Sequence, residues 1–164
     1  MELFDVVDAN RNPLGYTKER GNELLEHEYN VGVEFWIFNN HKLLMTRRSP
    51  EKSHPGEWEV PGGCCQANET SDYTINREID EEIGYKLNNN YKLIGSSLYK
   101  NHYVDMYKSN IDIDINKCIL QDNEVSGIKY VTKEEFLILN KQDKIVKSVF
   151  NRYLEYQEEL DKDW

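Results

Sequence analysis

The chain has 164 residues, with 30 acidic against 20 basic side chains and a formal net charge of −10. Length predicts a single domain over 1–164, and 12% aromatic content excludes a disordered chain despite a mean hydropathy of −0.79. The acidic excess excludes general nucleic-acid binding, because such a surface repels a phosphate backbone, and no apolar run approaches the roughly 18 residues of a membrane span. A small phosphorylated substrate would also be repelled, unless divalent cations or local arginines reverse the field. Three cysteines, two of them adjacent (Cys64 and Cys65), make no disulfide framework. Met1–Asp5 carries no basic or apolar leader, so the expected setting is the cytoplasm.

The N-terminal segment reads as a β-hairpin: Leu3, Val6 and Val7, a turn-rich Asp8–Gly15, then Tyr16 and Thr17. Val31–Phe38 is the strongest strand, and Leu43–Thr46 returns from the turn at Asn39–His41. A polar loop from Ser49 to Gly56 leads to a short Trp58–Val60 strand and Pro61-Gly62-Gly63. A helix is predicted from Ser71 to Ile83, with Thr70 as its N-cap and Gly84 as its stop. Strands follow near Tyr91–Leu98, Tyr103–Lys108 and Ile128–Val131, with Ile111–Ile115 alternating strongly. Thr132-Lys133-Glu134-Glu135 opens a short helix with a capping-box pattern. Residues 142–160 read as a final helix, placed to cap the core or to offer a homodimer surface. Mixed strands with interspersed helices point to an α+β, layered α-β-α domain.

At 100° per residue, Ile75, Ile79 and Ile83 share one core-facing arc, and Glu78, Glu81 and Glu82 share a neighbouring one. Three like charges on adjacent turns repel one another, and helix propensity does not ask for them. Converging carboxylates suit hard divalent cations, whose preferred ligands are oxygens. In a chain with 19 glutamates, a solvated acidic face is an equally ordinary origin for such a cluster.

The wider spacing separates the two readings. Gly63, five residues, Glu69, seven residues, then Arg77-Glu78-Ile79-Asp80-Glu81-Glu82-Ile83-Gly84-Tyr85 match G-x5-E-x7-R-E-U-x-E-E-x-G-U, with U aliphatic. Only Tyr85 departs from the pattern. Over residues 63–85 the chain therefore resembles a MutT-like Nudix hydrolase. The hairpin and the run Arg47–Lys52 look most like the isopentenyl-diphosphate-isomerase-like subgroup.

The resemblance implies a Nudix α-β-α sandwich with a mixed sheet, and a metal-dependent hydrolase of a diphosphate linkage in a nucleoside diphosphate derivative or related metabolite. It implies Mg²⁺ (or Mn²⁺) held by Glu78, Glu81 and Glu82 with the Gly62 carbonyl. Glu124 or a box glutamate would take the proton from the attacking water. Gly63, Glu69 and Arg77 would support the site, the last two as an ion pair. Arg47 or Arg48 would grip phosphates, but neighbouring strand residues face opposite ways, so at most one reaches a pocket. Trp58 and Tyr103 are candidates for stacking on a base, though aromatics there also suit a core. His54 and His102 are isolated and give no zinc spacing.

Two rivals remain at this stage. One is an isopentenyl-diphosphate isomerase, which shares the fold and uses a loop cysteine. In the register set by Trp58, that cysteine would fall at Gly63, with Cys64 one place further on. The other is a non-catalytic Nudix domain that senses a nucleotide or binds a partner.

Overall fold

The computed structural model describes all residues, Met1–Trp164. The Asp8 carboxylate accepts hydrogen bonds from the backbone of Asn10 (2.8 Å) and Asn12 (2.9 Å). This local turn closes β1 (Leu3–Val7) on β2 (Pro13–Glu19) as a two-stranded antiparallel hairpin beside the main sheet.

The main sheet has seven strands: β3 (Asn30–Asn39), β4 (Lys42–Arg48), β5 (Trp58–Glu59), β6 (Gly62–Cys64), β7 (Lys92–Tyr99), β8 (His102–Asn110) and β9 (Val125–Val131). Its spine runs β5-β4-β3-β8-β7, and only β3 and β8 pair parallel. β3 is shared along its length. Phe38 and Asn39 pair with β4, whereas Gly32, Val33 and Glu34 pair with β6. β4 thus diverges from the first half of β3, and the Pro61–Cys64 segment enters the gap.

Alternation along β3 divides its side chains between two faces. Val33, Phe35 and Ile37 pack with Ile75, Ile79 and Ile83 of α1 (Ser71–Ile83). Trp36 and Phe38 pack on the other face against α2 (Lys133–Lys141) and α3 (Lys147–Glu155). The three α1 isoleucines are fully buried, each contributing about 1.5–3 kcal/mol. One helix on one face and α2, α3 and α4 (Gln157–Leu160) on the other make the α-β-α sandwich. No helix is long and apolar enough to cross a membrane.

Two expected elements differ. The final helix begins at Lys147, not at residue 142, because Trp58 draws the preceding chain into extended pairing. Its N–H donates to Lys144 O (2.7 Å), and its carbonyl accepts from Val146 N (3.0 Å). The helix also breaks at Tyr156. Ile111–Ile115 is not a strand: Ile111 and Ile113 are buried against the α1 side, but their alternation reflects burial without pairing, and a 3-10 turn follows at Ile115–Lys117.

Candidate active site

Thr70 caps α1 by accepting from Tyr73 N (3.2 Å), and Gly84 closes it in the left-handed region at φ 69°. With the isoleucine arc fixed in the core, the flank bearing Glu78 and Glu82 lies against β6. Glu82 is only 3% exposed, and its Oε2 accepts from Gly62 N at 3.2 Å. Glu78 lies directly over Gly63. A β-carbon on residue 63 would fall 2.2 Å from Glu78 Oε1, and one on residue 62 would fall 2.2 Å from Val33 O. Both glycines are needed for close approach. Neither has positive φ; both lie in an extended strand with no room for a side chain.

Arg77 ties the helix to the loop before it. Its Nε donates to Glu69 Oε1 (2.7 Å), and its Nη2 donates to Glu69 Oε2 (3.0 Å) and Cys64 O (3.2 Å). Its Nη1 donates to Glu78 Oε1 (2.9 Å) and Glu81 Oε2 (3.0 Å). Burial alone would raise the Glu69 pKa, but the guanidinium fork and the Gln66 N–H lower it.

Glu81 is thereby turned outward, with its side chain 45% exposed. The expected convergence of Glu78, Glu81 and Glu82 is not formed, and no three His, Cys, Asp or Glu side chains close on one point. What remains is a pair: Glu82 is buried and the Glu78 side chain is 13% exposed. Burial pushes Glu78 up to about 7, against the pull of Arg77. Burial, followed by the charges of Glu78 and Glu59, pushes Glu82 well above the carboxylate range. Two desolvated carboxylates that repel each other fit a hard divalent cation, which would remove both penalties.

Beside the glycine strand opens a cavity of about 300 Å³ between the sheet and α3. Arg20, Arg48, Lys52 and Arg152 line it, with Glu34 and Glu59 among them. Each cation is paired: Arg20 with Glu2 (2.8 Å), Arg48 with Glu59 (2.7 Å), Lys52 with Glu124 (2.7 Å) and Arg152 with Glu34 (2.6 Å). The wall is therefore a set of N–H donors held in place by carboxylates.

Of the two strand arginines, Arg48 lines the cavity, while Arg47 turns to the opposite side and donates to Gly56 O (3.2 Å). Trp58 lies outside the cavity, packed against the α2–α3 core with Lys129 Nζ 4.1 Å from its ring centroid. Tyr103 is also outside, its hydroxyl donating to Ala9 O. Glu124 does not line the cavity; its link to it is the ion pair with Lys52 (2.7 Å), which does.

Glu34, Lys52, Glu59 and Arg152 were not among the residues singled out from the sequence. Glu34 carried a signal, as a lone charge in an apolar strand. The pairing with Arg152, 118 residues away, carried none.

Burial pushes the Cys64 and Cys65 thiols up to about 11. Cys64 Sγ points at Val31 O (3.7 Å) and opens on a different surface pocket from the carboxylate-flanked cavity.

Fold and site define the class of α-β-α domains that set an acidic helix against a glycine edge strand beside a polar cavity. The chain belongs to the NUDIX family, whose NUDIX domain matches residues 28–153. It is 33% identical to Nudix hydrolase 3 of Arabidopsis thaliana over 87% of this chain, but spans only 21% of that protein. It is 28% identical to a Nudix hydrolase of Listeria monocytogenes, covering 92% of this chain and 91% of that one. Among solved structures, DR0079 from Deinococcus radiodurans superposes with a TM-score of 0.75 at 23% identity, covering 99% of each chain. The NUDIX domain of Shewanella oneidensis NrtR complexed with ADP ribose gives 0.65 at 16% identity, covering 89% of this chain and 94% of that one. These two share the fold. Nudix hydrolases act on small phosphorylated substrates and generally use divalent metal ions.

Proposed function

We propose that the chain hydrolyses a diphosphate linkage in a nucleoside diphosphate derivative or related small phosphorylated metabolite, with Mg²⁺ or Mn²⁺. The observation that carries this reading is the Glu78–Glu82 pair, one buried and one half-buried, packed on Gly62 and Gly63 beside a cavity walled by paired arginines and a lysine. Glu78, Glu82 and the Gly62 carbonyl are the donors for the ion, with Glu81 contributing through water. When bound, the ion neutralises phosphate oxygens, acidifies a water and stabilises the leaving phosphate.

The chain's own groups do the rest. Arg48, Lys52 and Arg152 donate hydrogen bonds to the diphosphate, sharing it with their carboxylate partners. Arg77 holds Glu78 in place and keeps Glu81 from drifting toward the pair. Glu124, linked to the cavity by its pair with Lys52, and the box carboxylates are the groups able to accept the water's proton. The position of Cys64 supports hydrolysis over isomerisation: it opens on a different surface pocket from the cavity.

The test is a panel of nucleoside diphosphates, triphosphates and diphosphate-linked sugars with Mg²⁺ and with Mn²⁺, read as phosphate-terminated products. Glu82→Gln should abolish most turnover with an unchanged circular dichroism spectrum. Full activity in Glu82→Gln, or activity undiminished by EDTA, contradicts the reading. Allylic diphosphate formation without phosphate-terminated products would make the chain an isomerase.

A further inference from the structure

Residues 1–27 precede the stretch matched by the NUDIX domain, yet the hairpin they form is fixed beside the site. Val7 and Tyr29 exchange backbone hydrogen bonds (2.9 and 2.8 Å), and Arg11 grips the buried Asp105 through two nitrogens (2.6 and 2.8 Å). Leu3 O accepts from Ala67 N (2.8 Å), and Asp5 Oδ2 accepts from Asn68 N (2.7 Å). These last two contacts hold the open end of the hairpin against the loop between the glycine strand β6 and α1. At that end Arg20 N donates to Glu2 O (2.9 Å), and Arg20 Nη1 donates to Glu2 Oε2 (2.8 Å).

Arg20 lines the cavity together with Gly62 and Gly63. Burial leads in raising the Glu78 pKa; Arg77 and, behind it, Arg20 pull it back down. The Arg20 charge is therefore felt at the carboxylate pair. The four cations of the wall are not held alike. The side chains of Arg48, Lys52 and Arg152 are each 14% exposed, whereas Arg20 is 56% exposed and its partner Glu2 is 46% exposed. An ion pair so open to water is worth little, so exchanging Glu2 for another anion costs little. A diphosphate competes well for the guanidinium, because its oxygens match a planar fork of donors. Arg20 also borders a separate surface pocket of about 460 Å³, which gives its side chain room to move.

We propose that Arg20 leaves Glu2 when substrate arrives and binds the diphosphate, so that the hairpin supplies a fourth cation to the phosphate site. Glu2 holds the guanidinium until then and competes with the substrate for it. The assignment rests on the diphosphate reading of the cavity and adds a binding residue from outside the matched domain.

The probe is methylenediphosphonate, which has no P–O–P bond to cleave, titrated by calorimetry in Mg²⁺. The proteins are wild type, Arg20→Gln, Glu2→Gln and the double variant. Arg20→Gln should bind the probe about tenfold or more weakly, as when a hydrogen bond to a charged group is lost. Glu2→Gln should bind it about two- to fivefold more tightly, because the competing carboxylate is gone. In the double variant the gain from Glu2→Gln should vanish. All three variants should melt near wild type, since the pair is exposed. Mn²⁺ affinity measured without the phosphonate should be kept.

A purely structural ion pair would weaken binding equally in both single variants, and that result would overturn the assignment. Unchanged binding by Arg20→Gln, or a loss matched by an equal loss of Mn²⁺ affinity, would overturn it too. Failure of wild type to bind methylenediphosphonate in Mg²⁺ would instead overturn the diphosphate reading of the cavity.

Discussion

The Glu78 carboxylate occupies the space that a side chain on residue 63 would need, with only 2.2 Å between its Oε1 and the β-carbon position. Two parts of the family motif, fifteen positions apart in sequence, are thereby one steric unit. Gly63→Ala should push Glu78 aside, because the clashing atom is the end of a flexible side chain. Turnover should fall about 10–100-fold, as when a group orienting a metal ligand is lost, while the melting temperature moves little. Gly62→Ala meets the backbone oxygen of Val33 at 2.2 Å, which cannot swing away. It should destabilise the fold by about 1–3 kcal/mol. Thermal melts and turnover of the two variants, run together, check the contrast.

Arg77 makes its contacts as a planar fork, so charge alone should not replace it. Arg77→Lys should retain the fold but loosen Glu78 and free Glu81. Metal affinity should drop about tenfold or more, measurable by Mn²⁺ titration, while Glu81→Gln, removing an exposed group, should cost less.

The pair between Glu34 and Arg152 is nearly dry, with side chains 5% and 14% exposed. Burial raises the Glu34 pKa in spite of Arg152, so the pair locates α3 at a cost in desolvation. Arg152→Met should lose about 3–5 kcal/mol by leaving the Glu34 charge uncompensated, and the double variant Glu34→Gln/Arg152→Met, which keeps an acceptor for the Trp36 indole N–H (2.8 Å), should recover much of that loss. Urea unfolding of Glu34→Gln, Arg152→Met and the double gives the coupling. Activity should not return with stability, because Arg152 also lines the cavity proposed to take the diphosphate.

Acid sensitivity should arise at the N-terminal hairpin. Glu28 accepts from Leu25 N (2.8 Å) and Tyr16 Oη (2.7 Å) and pairs with Lys18. Led by the Leu25 bond, these contacts lower its pKa to about 2. A depressed folded-state value means the contribution is complete above the unfolded value near 4.5, and is lost as pH falls from there through about 2. Wild type should be more stable than Glu28→Gln at pH 7, and the gap should close between about pH 4.5 and 2, followed by urea midpoints.

How much was legible in the sequence depended on whether the deciding contacts were local. α1 was readable from Thr70 to Gly84 because its cap, isoleucine arc and stop all lie within the helix. β6 was not read as a strand: Gly-Gly-Cys has no pattern of its own, and it becomes a strand only by pairing with Gly32–Glu34. The start of the last helix was misplaced because Trp58, nearly ninety residues earlier, holds 144–146 extended. Likewise, the motif spacing brought Glu69, Arg77, Glu78 and Glu82 to notice, whereas Lys52 sat in an ordinary polar loop and Arg152 on an ordinary amphipathic helix. Their function lies in partners that only the fold supplies.

The central claim is that Glu78 and Glu82 together hold a divalent cation. Electron paramagnetic resonance of Mn²⁺ titrated into wild type, Glu78→Gln and Glu82→Gln tests it without needing the substrate. The account predicts a bound-Mn²⁺ fraction in wild type that Mg²⁺ displaces, and affinity reduced about tenfold or more in each variant at unchanged melting temperature. Equal Mn²⁺ binding by all three proteins, or none by wild type, would contradict it.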